Sequence, residues 1–280
     1  MSAVSWPSDT GAAAPARQRA VGQVRVTAVS TGGRTRLADL AETGSLRARL
    51  PKVPAGLEAV LVNTAGGVAC GDHFTITAEA GAGACLTLAT PAAEKVYRSD
   101  GPVARIDVHL AAGPGAALHW LPQETILFDT ARLARRYEVD VAPDAAFLSF
   151  EAVVFGRAAR GEVMREGHLS DIWRVRRGAE LVYADAFRLS GPLAAHLARP
   201  AIGNGAAALA TFLYVAPDAE ARLDAARDLL AGTRGEAGAS AWNGVLAVRW
   251  LAADIETLRR DATSFLMGFR AGPLPRVWAS

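Results

Sequence analysis

Glu151 and Asp185 each follow an apolar segment closely, Phe147-Leu148-Ser149-Phe150 and Leu181-Val182-Tyr183, and polar residues take matching places earlier in the chain. The match is set by a recurring pattern, alanine-x-leucine-x-apolar after a turn. It starts at Ala84, Ala116, Ala146 and Ala179, with spacings of 32, 30 and 33 residues. Counted from these alanines, Thr90, Gln123/Glu124, Glu151 and Asp185 fall at offsets +6, +7/+8, +5 and +6. A near-constant period marks stacked units that cannot bury an apolar face singly, and equivalent offsets then lie above one another. The spacing therefore predicts a column of polar groups along one edge. Carboxylates at the ends of buried strands are costly unless hydrated, paired or meeting a cation. Two outcomes follow: a wall that accepts a cation, or ion pairs with Arg132, Arg135, Arg157 or Arg160.

The other chemistry-bearing stretches point elsewhere. Thr64 to His73 is glycine-rich, but Asp72 stands where a phosphate loop needs lysine, and the following Phe74-Thr75-Ile76-Thr77 is strand-like. That leaves structural glycines and Asp72 as an acid at the lip of the turn. Thr90 to Ser99 mixes Glu94 with Lys95, Arg98 and Tyr97 and reads as a solvated connection. No Gly-x-Ser-x-Gly elbow or His-Glu-x-x-His occurs. The five histidines lack ligand spacing, and His109 and His119 read as surface residues on facing strands. Cys70 and Cys85 with His73 make a weak soft-metal set, and strand-buried cysteine is the commoner state.

The elements that must position these groups are mostly strands. Ile106, Val108 and Leu110 alternate with Asp107 and His109, and Tyr137, Val139 and Val141 alternate with Glu138 and Asp140. Turns at Gly81-Ala82-Gly83, Gly113-Pro114-Gly115, Pro143-Asp144 and Arg177-Gly178 separate paired strands, which read as consecutive hairpins. The expected fold is mainly β, a stacked β-hairpin superhelix or sandwich with a C-terminal two-helix α/β layer. Residues 1–20 read as a disordered leader, 21–200 as the hairpin body and 201–280 as the α/β layer packed on it. Within that layer we expect a strand over 207–215, helices over 219–231 and 253–270, a flexible loop over 232–238, a strand over 242–250 and a Pro-rich strap at the end.

Composition narrows the function classes. Thirty Lys and Arg against 28 Asp and Glu leave a formal charge of +2, no whole-chain reason to expect nucleic acid or a membrane surface. The 51% hydrophobic content is inflated by alanine, and the longest apolar run, 206–216, is too short to span a bilayer. Two cysteines and no signal-peptide pattern point to a reducing, cytoplasmic setting.

Six segments also carry a family resemblance: LVNTAGGVACGD (61–72), PAAEKVYRSDGP (91–102), LHWLPQETILFDTARL (118–133), FEAVVFGRAARGE (150–162), GASAWNGVLAVRWLAAD (238–254) and LPRVW (274–278). In that order they resemble the UreD urease accessory proteins, called UreH in some organisms, from about residue 20 to the end. Cys70 departs from the family motif, which usually carries a further pair of glycines before its aspartate; a backbone angle open only to glycine would not suit it. The resemblance implies a non-catalytic chaperone with a mainly β superhelical fold and two helices. It implies binding to the urease apoprotein and to a UreF-type accessory protein, and through the latter to a UreG-type GTPase. It further implies transient Ni²⁺ with no tightly bound cofactor, passing through a water-filled channel. The acids that match are Asp72 in CGD, Glu94 in AAEK, Glu151 in FEAVV and Asp185 in YADAF. Hydrated carboxylates suit transit, because thiolate or imidazole clusters would trap the ion. Two rivals stand beside this: a β-superhelical hydrolase or lyase using Glu151 and Asp185 as acid and base, and a binding module with no metal role.

Overall fold

The computed structural model describes residues 19–270 and 272–279, so most of the expected leader lies outside the described residues. The chain opens with β1 (Val21–Thr31) and β2 (Arg34–Gly44), an antiparallel pair, and continues through β3 (Leu46–Arg49) and β4 (Leu57–Asn63). It then repeats one unit. β5 (His73–Ala80) is followed by β6 (Cys85–Ala89) and a short β7 (Glu94–Val96). β8 (Ala104–Ala112) is followed by β9 (Ala117–Leu121) and a short β10 (Thr125–Leu127). β11 (Arg132–Val141) is followed by β12 (Ala146–Phe155). β13 (Gly167–Arg177) and β14 (Glu180–Gly191) close the body.

The two strands of each unit do not pair with each other. β1, β5, β8, β11 and β13 run parallel in a seven-stranded sheet, here sheet I, with β2 and β14 at its edges. β4, β6, β9 and β12 run parallel in a ten-stranded sheet, here sheet II. The expected stacked, mainly β superhelix is present, but its units are arches that cross from one sheet to the other. Period-2 alternation cannot separate the two cases, since hairpin and arch both bury every second residue. The tight turns do the crossing: Ala84 N–H bonds Gly81 C=O at 2.9 Å and Ala116 N–H bonds Gly113 C=O at 3.0 Å. Gly83 and Gly115 take left-handed φ values there, 66° and 62°.

Two details of the repeat change. Cys85, Ala117 and Ala146 share one rung of sheet II, so the partner of Ala84 and Ala116 is Ala145, one residue before the expected Ala146. All three alanines are buried against the facing sheet. The fourth copy, at Ala179, is no arch. It sits in the turn of the true hairpin β13–β14, both strands of which belong to sheet I.

The last third extends sheet II. After the short helix α1 (Leu193–Leu197), β15 (Ala208–Val215) pairs antiparallel with β12. Helix α2 (Leu223–Leu230) follows, then the edge strand β16 (Glu236–Trp242), β17 (Val245–Ala252) and α3 (Ile255–Arg270). β16 occupies part of the expected loop 232–238, because Glu236 to Trp242 pair with Val245 to Leu251. Leu258, Ala262, Phe265, Leu266 and Phe269 form the buried stripe of α3. Phe265 and Phe269 meet Phe212 of β15 edge-on at 5.1 and 4.9 Å. Asp254 caps α3, accepting the Thr257 N–H at 2.6 Å. The tail ends in a 3-10 turn that buries Trp278, whose Nε1–H bonds Leu121 C=O at 3.0 Å. One apolar core thus fills the space between the sheets, and a second lies between sheet II and its helices. Among the described residues no helix is long and apolar enough to cross a membrane.

Candidate functional site: a charged cavity between the sheets

Beyond the arches the two sheets are unequal. Sheet I adds only β14 after β13, whereas sheet II adds β15, β17 and β16 after β12. The gap between them opens into a cavity of about 420 Å³. Alternation aims the lining. Arg135 of β11, Asp171 and Trp173 of β13, and Tyr183 and Asp185 of β14 come from sheet I. On sheet II, Glu151, Thr211, Arg249 and Gly238 occupy one rung across β12, β15, β17 and β16. Four carboxylates (Glu151, Asp171, Asp185, Glu236) against two guanidiniums give the lining a formal charge of −2.

Arg135 is the buried hub. Its guanidinium donates to Glu151 Oε2 at 2.8 Å, to Thr125 Oγ1 at 3.1 Å and to both oxygens of Asp171. Burial opposes its charge, yet Asp171 and Glu151 outweigh that and hold it protonated, above the ordinary arginine range. Burial pushes the Asp171 carboxyl up, against the pull of Arg135. Glu151 also accepts from Trp120 Nε1 and Tyr137 Oη, each at 2.6 Å. Tyr137 stacks on Trp173 with ring centroids 3.8 Å apart, which fixes the phenol.

Asp185 sits nearer the mouth. It accepts from Arg249 at 2.6 Å, from Tyr183 Oη at 3.1 Å and from the Ala186 N–H at 2.8 Å. Burial, with Asp185 beside it, pushes the Tyr183 hydroxyl up to about 12. The two arginines differ sharply in exposure: the Arg135 side chain is 4% exposed and that of Arg249 63%.

Asp72 and Glu94 lie apart, at the glycine-rich end. Asp72 is buried and ties the loop together, accepting the N–H groups of Ala20 at 2.8 Å and Ala69 at 2.7 Å. Cys70 is accommodated there without a left-handed backbone, which falls instead on Gly71, at φ 81°. Glu94 touches Asn63 Nδ2 at 3.4 Å through both oxygens. Burial pushes its carboxyl up to about 7, with Asn63 and the Lys95 N–H opposing. Glu94 shares a rung with Thr125, whose hydroxyl accepts from Arg135. Asp72 lines a separate pocket with Tyr97, and neither Asp72 nor Glu94 lines the cavity that holds Glu151 and Asp185.

The polar column expected from the repeat is broken up. Thr90 Oγ1 accepts the Gln123 N–H at 2.8 Å, Gln123 Nε2 holds Val277 C=O at 2.7 Å, and Glu124 meets Arg259 at 3.4 Å. These residues serve the helix and tail side of sheet II. Glu151 and Asp185 do meet at one cavity, but from opposite sheets, because the fourth copy of the repeat belongs to sheet I. Of the arginines weighed as partners, Arg135 pairs with Glu151, while Arg157 pairs with Glu162. His119 is no surface residue: it lies beneath Arg270, whose guanidinium reaches Nδ1 at 3.3 Å. Sequence reasoning passed over Asp171 and Arg249. Each had a signal, a charge at an inward place of an apolar alternation (Leu169-x-Asp171-x-Trp173; Ala247-x-Arg249-x-Leu251). Among the described residues no group of three or more His, Cys, Asp or Glu is arranged to hold a metal ion.

Comparison with known proteins agrees along the whole length. The family model for the UreD urease accessory protein matches residues 20–279. A urease accessory protein UreD of Xanthobacter autotrophicus is 66% identical, covering 100% of this chain and 99% of that protein. Another, from Azorhizobium caulinodans, is 64% identical over 96% of this chain and 99% of its own length. With identity this high over nearly the full length, and the mainly β superhelix that the resemblance led us to expect, the chain belongs to the UreD urease accessory protein family.

Proposed function

We propose that this protein is a maturation chaperone that passes Ni²⁺ towards urease by way of the acids Asp72, Glu94, Glu151 and Asp185. As a urease accessory protein it serves urease maturation and is not itself an enzyme. In the proposed cycle it binds the urease apoprotein and a UreF-type accessory protein, and through the latter a UreG-type GTPase, in the cytoplasm. The ion is cargo, with no resident cofactor.

The observation that carries this reading is the cavity itself: about 420 Å³ of space between two sheets, lined to a formal charge of −2. That charge suits a divalent cation, and the volume leaves room for part of its hydration shell. Carboxylates that already accept several hydrogen bonds, with no thiolate or imidazole beside them, bind Ni²⁺ weakly enough to release it. The acid–base alternative using Glu151 and Asp185 fares poorly on chemistry. Each acid already accepts three hydrogen bonds, one of them from an arginine, which leaves neither suited to proton transfer.

The test is co-expression with the urease subunits, comparing the parent with the double variant Glu151→Gln/Asp185→Asn. The expected result is an intact complex and urease whose nickel loading is slowed on the order of tenfold, the effect of about 1.4 kcal/mol on the path. Urease with a normal nickel content from the double variant would end the passage reading.

A further inference from the structure

We infer that Arg249 is a displaceable counter-ion at the cavity mouth, a latch that occupies Asp185 until a divalent cation takes its place. The inference deepens the passage reading above and rests on it. It comes from the unequal way the two cavity arginines are held.

Arg135 is fixed. It is nearly inaccessible and is shared by Glu151, Asp171 and Thr125, so a cation that displaced it would leave a buried guanidinium with neither partner nor water. Arg249 holds Asp185 at 2.6 Å, but most of its side chain faces solvent. An exposed guanidinium that leaves a carboxylate regains its hydration, so the exchange is nearly balanced. The strand neighbours leave it room. Residues opposite each other in a sheet point to the same face, and the neighbours of Arg249 on its rung are Thr211 towards the interior and Gly238 at the edge. A methyl group added at Gly238 would find nothing within 4 Å, so the outward side is open space.

Charge makes the exchange productive. With Arg249 turned outward, Asp185 keeps the Tyr183 hydroxyl and the Ala186 N–H, both able to orient it without neutralising it. The lining also becomes one unit more negative at the place where an ion would enter or leave. Release follows the same route in reverse, since the returning guanidinium competes with the ion for one carboxylate. A tethered competitor of this kind speeds unloading, and a site of permanently free acids would lack it.

The test titrates Ni²⁺ alone into the full-length chain by calorimetry, with folding checked by circular dichroism. Arg249→Met should bind Ni²⁺ about fivefold more tightly than the parent, because an exposed ion pair no longer competes. Arg249→Lys should resemble the parent, and Arg249→Met/Asp185→Asn should lose the gain. Arg249→Gln carries the same expectation as Arg249→Met if the methionine variant folds poorly. Unchanged or weaker Ni²⁺ binding by the folded variants overturns the latch. If Glu151→Gln/Asp185→Asn still slows urease loading in that case, only the latch has failed. If that double variant loads urease normally, the passage itself has failed.

Discussion

On the outer face of sheet II, Glu58, Thr87 and His119 share one rung beneath the end of α3; on its inner face, Glu151, Thr211 and Arg249 share another beside the cavity. Both rows interrupt apolar strands, and both include an ionisable group held by arginine. The outer row is roofed. Arg270 and the tail cover it, and burial together with Arg270 lowers the His119 ring to about 3, so it stays neutral. The inner row is roofed only at one end: Arg135 and Tyr137 of sheet I cover Glu151, but sheet I stops at β14 and leaves Arg249 open to solvent. A polar row thus becomes a structural joint where another element closes over it, and a place for a ligand where none does. Coverage, more than residue type, decides which.

Three measurements break or sharpen this contrast. The largest effect is expected at the buried hub. Arg135→Met leaves Glu151 and Asp171 without their cation and should cost about 3–5 kcal/mol of stability in urea unfolding. A loss below about 1 kcal/mol would show that water reaches both acids and that the hub is not truly buried.

The second concerns the roofed row and pH. The His119 pKa is depressed on folding, so its contribution is present above the unfolded value near 6.5 and lost as pH falls towards the folded value of about 3. Relative to His119→Gln, the parent should lose about 1.4 kcal/mol for each pH unit below about 6.5, roughly 2 kcal/mol by pH 5. Parallel pH profiles for the two proteins would mean that the outer face is open to solvent.

The smallest effect is expected at the mouth. Arg249→Met should change stability by less than about 1 kcal/mol, because the pair it removes is solvated. A loss as large as that of Arg135→Met would erase the distinction between the two arginines.

Much of this was legible in the residues. The period of the alanine pattern revealed stacked strand units, and the stripe Leu258, Ala262, Phe265, Leu266, Phe269 revealed α3. Asp72, Glu94, Glu151 and Asp185 stand out through the motifs that surround them. Other features were not legible, for identifiable reasons. Alternation is blind to whether successive strands pair or face each other, so arches were read as hairpins. The third alanine was misplaced by one residue because Ala145 and Ala146 are adjacent. The strand at Glu236–Trp242 was hidden by small residues, its order coming from pairing with β17. Asp171 and Arg249 look like ordinary exceptions to alternation until their strands are placed beside β11 and β15.

The local chemistry, meaning which residues turn, which face inward and which carry charge, belongs to the sequence alone, because backbone sterics and side-chain periodicity act over a few residues. The placing of Asp185 opposite Glu151, the assignment of one arginine to the interior and one to the mouth, and the existence of the gap came only with the tertiary structure. These depend on two sheets ending at different strands. That mismatch is a property of how distant segments pair, and no short window of residues contains it.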